Sequence, residues 1–85
     1  MIKIVEAIYL KDYKIKVLFN NGEESIIDLS GQLWGEVFEP LKDKELFKKF
    51  SLNPFTIEWP NGADFAPEFL HQIAQSQITG KTVSS

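Results

Sequence analysis

The sequence predicts a small α+β domain: an antiparallel three-strand meander plus a fourth strand, with two short helices packed on one face. Three observations carry this. Tyr13, Ile15, Val17 and Phe19 alternate against Lys14, Lys16 and Leu18, the period of a half-buried strand, and Asn20-Asn21-Gly22 follows at once. Phe55, Ile57 and Trp59 alternate again and run into Pro60-Asn61-Gly62. Leu46, Phe47 and Phe50, and later Phe69, Leu70, Ile73 and Ala74, recur at helical spacing.

The first strand is expected over Ile2–Leu10. Ile2, Ile4, Ile8 and Leu10 share one parity, interrupted by Glu6, while Val5, Ala7 and Tyr9 take the other. Both faces are therefore partly apolar, as in a central strand or one covered at a dimer contact. The second strand, Tyr13–Phe19, turns through Asn20-Asn21-Gly22, read as a three-residue loop with Gly22 at positive φ. Pairing Phe19 with Glu23 sets Ile15 opposite Ile27 and Tyr13 opposite Leu29 on one face, and Lys14 opposite Asp28 on the other. A two-residue loop would slip the register by one and mix the faces. Ser30-Gly31 ends the third strand.

Gly35 and Pro40 limit any helix between Gln32 and Pro40 to a turn, so an irregular crossover packing Trp34 onto the sheet is expected. Asp43 suits an N-cap, with Glu45 in the first turn. Pro60 stops the fourth strand because it has no N–H to give a ladder. Asp64 is expected to cap the last helix by accepting from the N–H groups of Phe65 and Ala66. Pro67 fits its first position, and Glu68 complements its dipole. The domain is taken as residues 1–76, with 77–85 a disordered or partner-ordered tail.

Eighty-five residues, 44% hydrophobic, make one small core. Such a core alone supplies only ~3–5 kcal/mol, so association with a second chain would help. There is no cysteine, and His71 is the sole histidine, expected on the surface. A lone histidine builds neither a catalytic dyad nor a metal centre without co-ligands. No catalytic residue, cofactor or metal site is therefore expected, and the chain is not expected to be an enzyme. The net charge is −3 and all nine basic residues are lysine. Without arginine's bidentate fork, nucleic acid is a disfavoured partner. Lys42, Lys44, Lys48 and Lys49 form the one basic cluster, interrupted by Asp43 and Glu45. No apolar run approaches the ~20 residues of a membrane span, so no membrane role and a cytoplasmic location are expected.

The string Trp59-Pro60-Asn61-Gly62-Ala63-Asp64-Phe65-Ala66-Pro67-Glu68, with Leu70, resembles the signature of the small bacterial family called domain of unknown function 2442. The Phe19–Gly22 string and Asp28-Leu29-Ser30 fit the same pattern, and the likeness covers Ile2–Leu70. Phe65 stands where leucine is more usual. The resemblance implies a small α+β fold, no established activity and no catalytic residues to carry over. Some relatives continue into a helix-turn-helix region; others sit beside small partner proteins in a manner suggesting toxin–antitoxin pairing.

The expected function is a non-enzymatic protein-interaction module, one half of a small two-protein pair or a homodimer. The residues singled out for partner or ligand contact are Trp34, Trp59, Asn61, Asp64 and Glu68. One alternative is a small-molecule-binding or enzymatic domain with a pocket near Trp59 and Asp64. Another is a transcription-related regulator.

Overall fold

The computed structural model describes residues 1–84, with side chains through Gln77. The fold is α+β. Strands β1 (Ile4–Lys11), β2 (Lys14–Phe19) and β3 (Glu24–Asp28) form an antiparallel sheet in the order β1-β2-β3. A 3₁₀ turn (Glu39–Lys42) and a one-turn helix α1 (Lys44–Phe47) follow. Strands β4 (Ser51–Leu52) and β5 (Ile57–Glu58) pair with each other, and α2 spans Pro67–Ser84. The tail expected over residues 77–85 concerns, apart from Gln77, side chains and a terminus outside the described residues.

The β2–β3 register is the one that face segregation requires. Ile15 pairs with Ile27 and Lys14 with Asp28. Phe19 N–H donates to Glu23 C=O at 2.8 Å, and Gly22 has φ +92°. Asp43 caps α1, its carboxylate accepting from Glu45 N–H at 2.9 Å. Pro67 opens α2, where a missing N–H does no harm.

Four expectations are corrected. The Phe55–Trp59 segment is not a fourth strand of the meander. Only Ile57–Glu58 is strand, and its partner is Ser51–Leu52; the link to the larger sheet is Ile4 N–H to Phe55 C=O at 3.0 Å. Pro54 and the Asn53 carboxamide, which accepts from Phe55 and Thr56 N–H at 2.8 Å, hold the approach in a turn rather than a ladder. Strand β1 does not keep one parity. Ile4 faces Phe19, but Glu6 faces Leu18, so Val5 is an extra bulged residue, and a second shift follows between Tyr9 and Lys11. Ile4, Ala7 and Tyr9 consequently face the core, while Ile8 turns outward.

Trp34 does not pack on the sheet. It is 71% exposed, because the neighbouring Leu33 fills the core position. Asp64 is no cap. Its backbone bridges Glu58, which keeps this stretch extended, and Ala66 C=O accepts the first helical bond from Leu70 N–H at 3.1 Å. The Asp64 side chain is exposed and takes no hydrogen bond among the described residues.

The core gathers Ile4, Ile15, Val17, Phe19, Ile27 and Leu29 of the sheet with Leu41, Phe47, Ile57, Trp59, Leu70 and Ala74. Trp59 lies at its aromatic centre, with ring centroids at 5.7 Å from Phe47, 6.2 Å from Phe50 and 5.9 Å from Phe65. Phe65, the departure from the usual leucine, stacks between Phe38 at 4.6 Å and Phe69 at 5.7 Å. A leucine there would lose both stacks, each worth ~0.5–1.5 kcal/mol beyond burial.

Candidate functional site

The residues named for binding are not assembled into one site. Trp59 is buried, and its indole N–H donates to Phe47 C=O at 2.6 Å. It is a core residue with its polar handle satisfied. Asn61 is tied down from both ends of its carboxamide: Oδ1 accepts from Ala63 N–H at 3.1 Å, and Nδ2 donates to Val37 C=O at 2.9 Å. Trp34, Asp64 and Glu68 are exposed. Of these five residues, only Asn61 lines a described cavity, a groove of about 280 Å³ shared with Pro40, Leu41, Leu46, Lys49 and Pro60.

Several ionisable groups make contacts within the chain. Asp28 Oδ1 accepts from Ser30 N–H at 2.9 Å, closing the end of β3. His71 is not free on the surface: its ring sits edge-on to Phe19 at 5.0 Å, with Nε2 3.2 Å from Glu23 Oε1. The contact with His71, then the Asn21 amide, holds the Glu23 carboxyl below its ordinary range. Asp12 is similarly lowered by the hydrogen bond and charge of Lys44, whose own pKa is raised by the same pair. Asp12 is the one non-glycine residue at positive φ among the described residues, at +50°, and it makes the β1–β2 turn. Every buried side-chain nitrogen or oxygen among the described residues has a hydrogen-bond partner. No group of three or more histidine or acidic residues placed to hold a metal occurs among them.

What the sequence reading only half found is the outer face of the β1-β2-β3 sheet. The register lays its outward residues in rows: Glu6, Leu18 and Glu24 across one end, and Ile8, Lys16 and Ile26 across the middle. Lys14 and Asp28 follow toward the other end, with Leu10 and Lys11 beside them. Ile8 is 53% and Ile26 55% exposed; Val5 and Leu10 are exposed as well. A hollow of about 570 Å³ opens at the lysine end, lined by Tyr9, Leu10, Lys11, Lys14, Ile26, Asp28 and Gln77. The inward partners of the same strands, Ile15, Val17 and Ile27, are fully buried. The signal in the sequence was the apolar content of both faces of β1; the bulges, which decide where Ile8 points, left no mark.

Fold and surface together define a small α+β domain. Residues 4–76 match the family described as Protein of unknown function (DUF2442), and the chain belongs to that family. No curated protein and no solved structure matches the chain. Among the described residues, no helix is long and apolar enough to cross a membrane.

Proposed function

We propose that this chain is a non-enzymatic protein-interaction module, with its helices on one face of the sheet and its docking surface on the other. The observation that carries the reading is the exposure of Ile8 and Ile26 in the middle of a regular sheet face. A strand normally alternates apolar inward and polar outward when one face meets water. Here the outward row keeps two isoleucines, and exposed apolar residues grouped on one face mark interaction sites more often than scattered ones do. Pairing with a small protein, which the family resemblance implies, suits a surface of this size. The proposed setting is the bacterial cytoplasm.

The charge pattern supports placing nucleic acid last. Lys42, Lys44 and Lys48 are engaged by Glu39, Asp12 and Glu45 at 3.1, 3.0 and 3.0 Å. A basic cluster with three of its four lysines already paired within the chain gains less from releasing phosphate counterions. A regulator acting on DNA would need a basic face elsewhere.

The reading is tested by capture with matched variants. Tagged wild-type protein should retain a stoichiometric protein partner, a second copy included, and Ile8→Asp/Ile26→Asp should lose it while melting like wild type. Retention unchanged by the double variant would remove the sheet face from consideration.

One observation favours a second reading, small-molecule binding: the groove at Pro40, Leu41, Leu46, Lys49, Pro60 and Asn61. Its volume falls just under the ~300–1,000 Å³ of ordinary ligand pockets. Amide shifts of Asn61 and Lys49 on titration with a small-molecule library would bring it forward; shifts confined to Ile8 and Ile26 with a protein partner would set it aside.

A further inference from the structure

Resting on the interaction reading, the geometry points to a second copy of this chain as the occupant of the outer sheet face. The copy is seated face to face about a two-fold axis that runs across the strands.

The argument begins with the edges. A sheet can grow sideways by adding a strand, and exposed edges invite this. Here the free side of β3 is plugged at Asp28. The Gln77 carboxamide accepts from Asp28 N–H at 3.3 Å and donates to Asp28 C=O at 3.2 Å, copying the pair of bonds that a neighbouring strand would make. At the far side, Phe55 C=O takes the Ile4 N–H at 3.0 Å, and β4 lies along β1. Lateral addition meets an obstacle at Asp28 on one side and at Ile4 on the other, and the apolar face offers a further surface.

Charge then chooses the partner and its orientation. Along β1, Glu6 lies at one end, Ile8 in the middle and Lys11 at the other end. All three are exposed, and neither Glu6 nor Lys11 joins an ion pair among the described residues. The strand is thus a small dipole with an apolar centre, complementary to itself when reversed. Two copies related by an axis along the strands would lay the row of Glu6 and Glu24 on its own copy, carboxylate over carboxylate. An axis across the strands lays β1 antiparallel over the partner's β1, with isoleucine on isoleucine and Glu6 over the opposite copy's Lys11; on β3 it sets Glu24 over Asp28, so the attraction rests on β1 and on Lys14 beside it. Such a contact is isologous, as closed dimers require. Lys16, which shares the middle row, is drawn toward its own Glu24 at 3.4 Å and leaves the isoleucines to meet.

The area sets the strength. Three strands at ~4.8 Å and six residues at ~3.3 Å give a face of roughly 300 Å² in projection. A stable complex buries about 800 Å² per partner. The dimer is accordingly weak and depends on concentration.

Sedimentation equilibrium of the full chain, from roughly 10 µM to 1 mM, reads it directly. Wild type should pass from monomer toward dimer over that range, less so in high salt. Glu6→Lys or Lys11→Glu alone should weaken association about tenfold, because symmetry breaks two contacts at once. The double variant Glu6→Lys/Lys11→Glu should restore it. Thermal melts of all three, expected to match wild type, keep folding out of the result. A chain monomeric at the highest concentration, or a dimer indifferent to both single reversals, overturns the proposal. If the chain is monomeric yet still retains another protein that Ile8→Asp/Ile26→Asp releases, the interaction reading stands and only the identity of the partner falls. If nothing is retained either, both fall together.

Discussion

The turns at Phe19–Glu23 and Trp59–Ala63 are built from the same parts. Each starts at a buried aromatic residue whose N–H donates four residues ahead, at 2.8 Å in the first and 2.9 Å in the second. Each has an asparagine whose carboxamide accepts from the N–H two residues on, at 2.9 Å from Glu23 and 3.1 Å from Ala63. Each closes on a glycine at positive φ, +92° for Gly22 and +89° for Gly62, bonded back to the aromatic C=O. Their surroundings differ. The first turn joins two strands of the meander, and its outer residue Glu23 reaches His71 and Gln75 on α2. The second is wired into the core, through the Trp59 indole to Phe47 C=O and Asn61 to Val37 C=O. Turn geometry is therefore a local matter, settled by asparagine and glycine. What a turn does for the fold depends on which distant carbonyls its side chains can reach.

The widest gap between the turns should appear at the indole. Trp59→Phe leaves the buried Phe47 carbonyl without its donor, which costs about 1–3 kcal/mol before any lost packing is counted. Phe19 has no such bond, so Phe19→Leu should cost only its repacking, about 1–1.5 kcal/mol. Chemical denaturation of the two variants checks this, and equal losses would dissolve the distinction between a wired and a merely packed aromatic. Next come the asparagines. Asn61→Ala loses two bonds that reach separate parts of the backbone and should cost about 1–3 kcal/mol. Asn21→Ala loses only contacts to Glu23 and should cost about 0.5–1.5 kcal/mol. The glycines should show no gap. Nothing lies within 4 Å of a Cβ built at either Gly22 or Gly62, so Gly→Ala at each reports positive φ alone, about 1 kcal/mol. Unequal melts for Gly22→Ala and Gly62→Ala would mean that the two turns differ locally after all.

The same division explains what could be read from the sequence. Features fixed by near neighbours were legible: the Phe19–Glu23 turn, the register that sets Ile15 on Ile27, the Asp43 cap and Pro67 at the head of α2. The family resemblance rested on these same local strings. The bulge at Val5 was not legible, because an inserted residue has no composition of its own, and it separates Ile8 from the face that Ile4 takes. Strand β4 is two residues long, too short to show a period. Trp34 and Leu33 compete for one core position, and only the path of the chain decides that Leu33 takes it. Asp64 stood where a cap belongs by spacing, but its backbone was already committed to Glu58. Asp64→Ala should consequently melt like wild type. The candidate surface was legible only as a surplus of apolar residues in β1; Leu18 and Ile26 joined it once the register was known.

The smallest expected difference between the turns concerns acid, because position 23 carries a carboxylate where position 63 carries alanine. Glu23 Oε2 accepts from the Gln75 amide at 2.8 Å, and Oε1 lies 3.2 Å from the His71 ring. The His71 contact, followed by Asn21, depresses the folded-state pKa below the ordinary 4.5. A depressed acid stabilises the fold fully above its unfolded value and loses that contribution as pH falls through the folded one. The loss therefore begins below the ordinary 4.5 and is complete only under the lower folded value. It should be slight, since the carboxylate is exposed and screened by water. Amide hydrogen exchange can resolve it as a ratio between the turns. The intrinsic effect of pH on exchange acts on both and divides out. From about pH 6 to about pH 3, protection at Phe19 and Gly22 should fall relative to Trp59 and Gly62. Glu23→Gln, which keeps an accepting oxygen but cannot titrate, should hold the ratio level. A ratio already level in wild type would mean that the contacts to α2 add nothing to the first turn, and that the two turns are alike in energy as well as in shape.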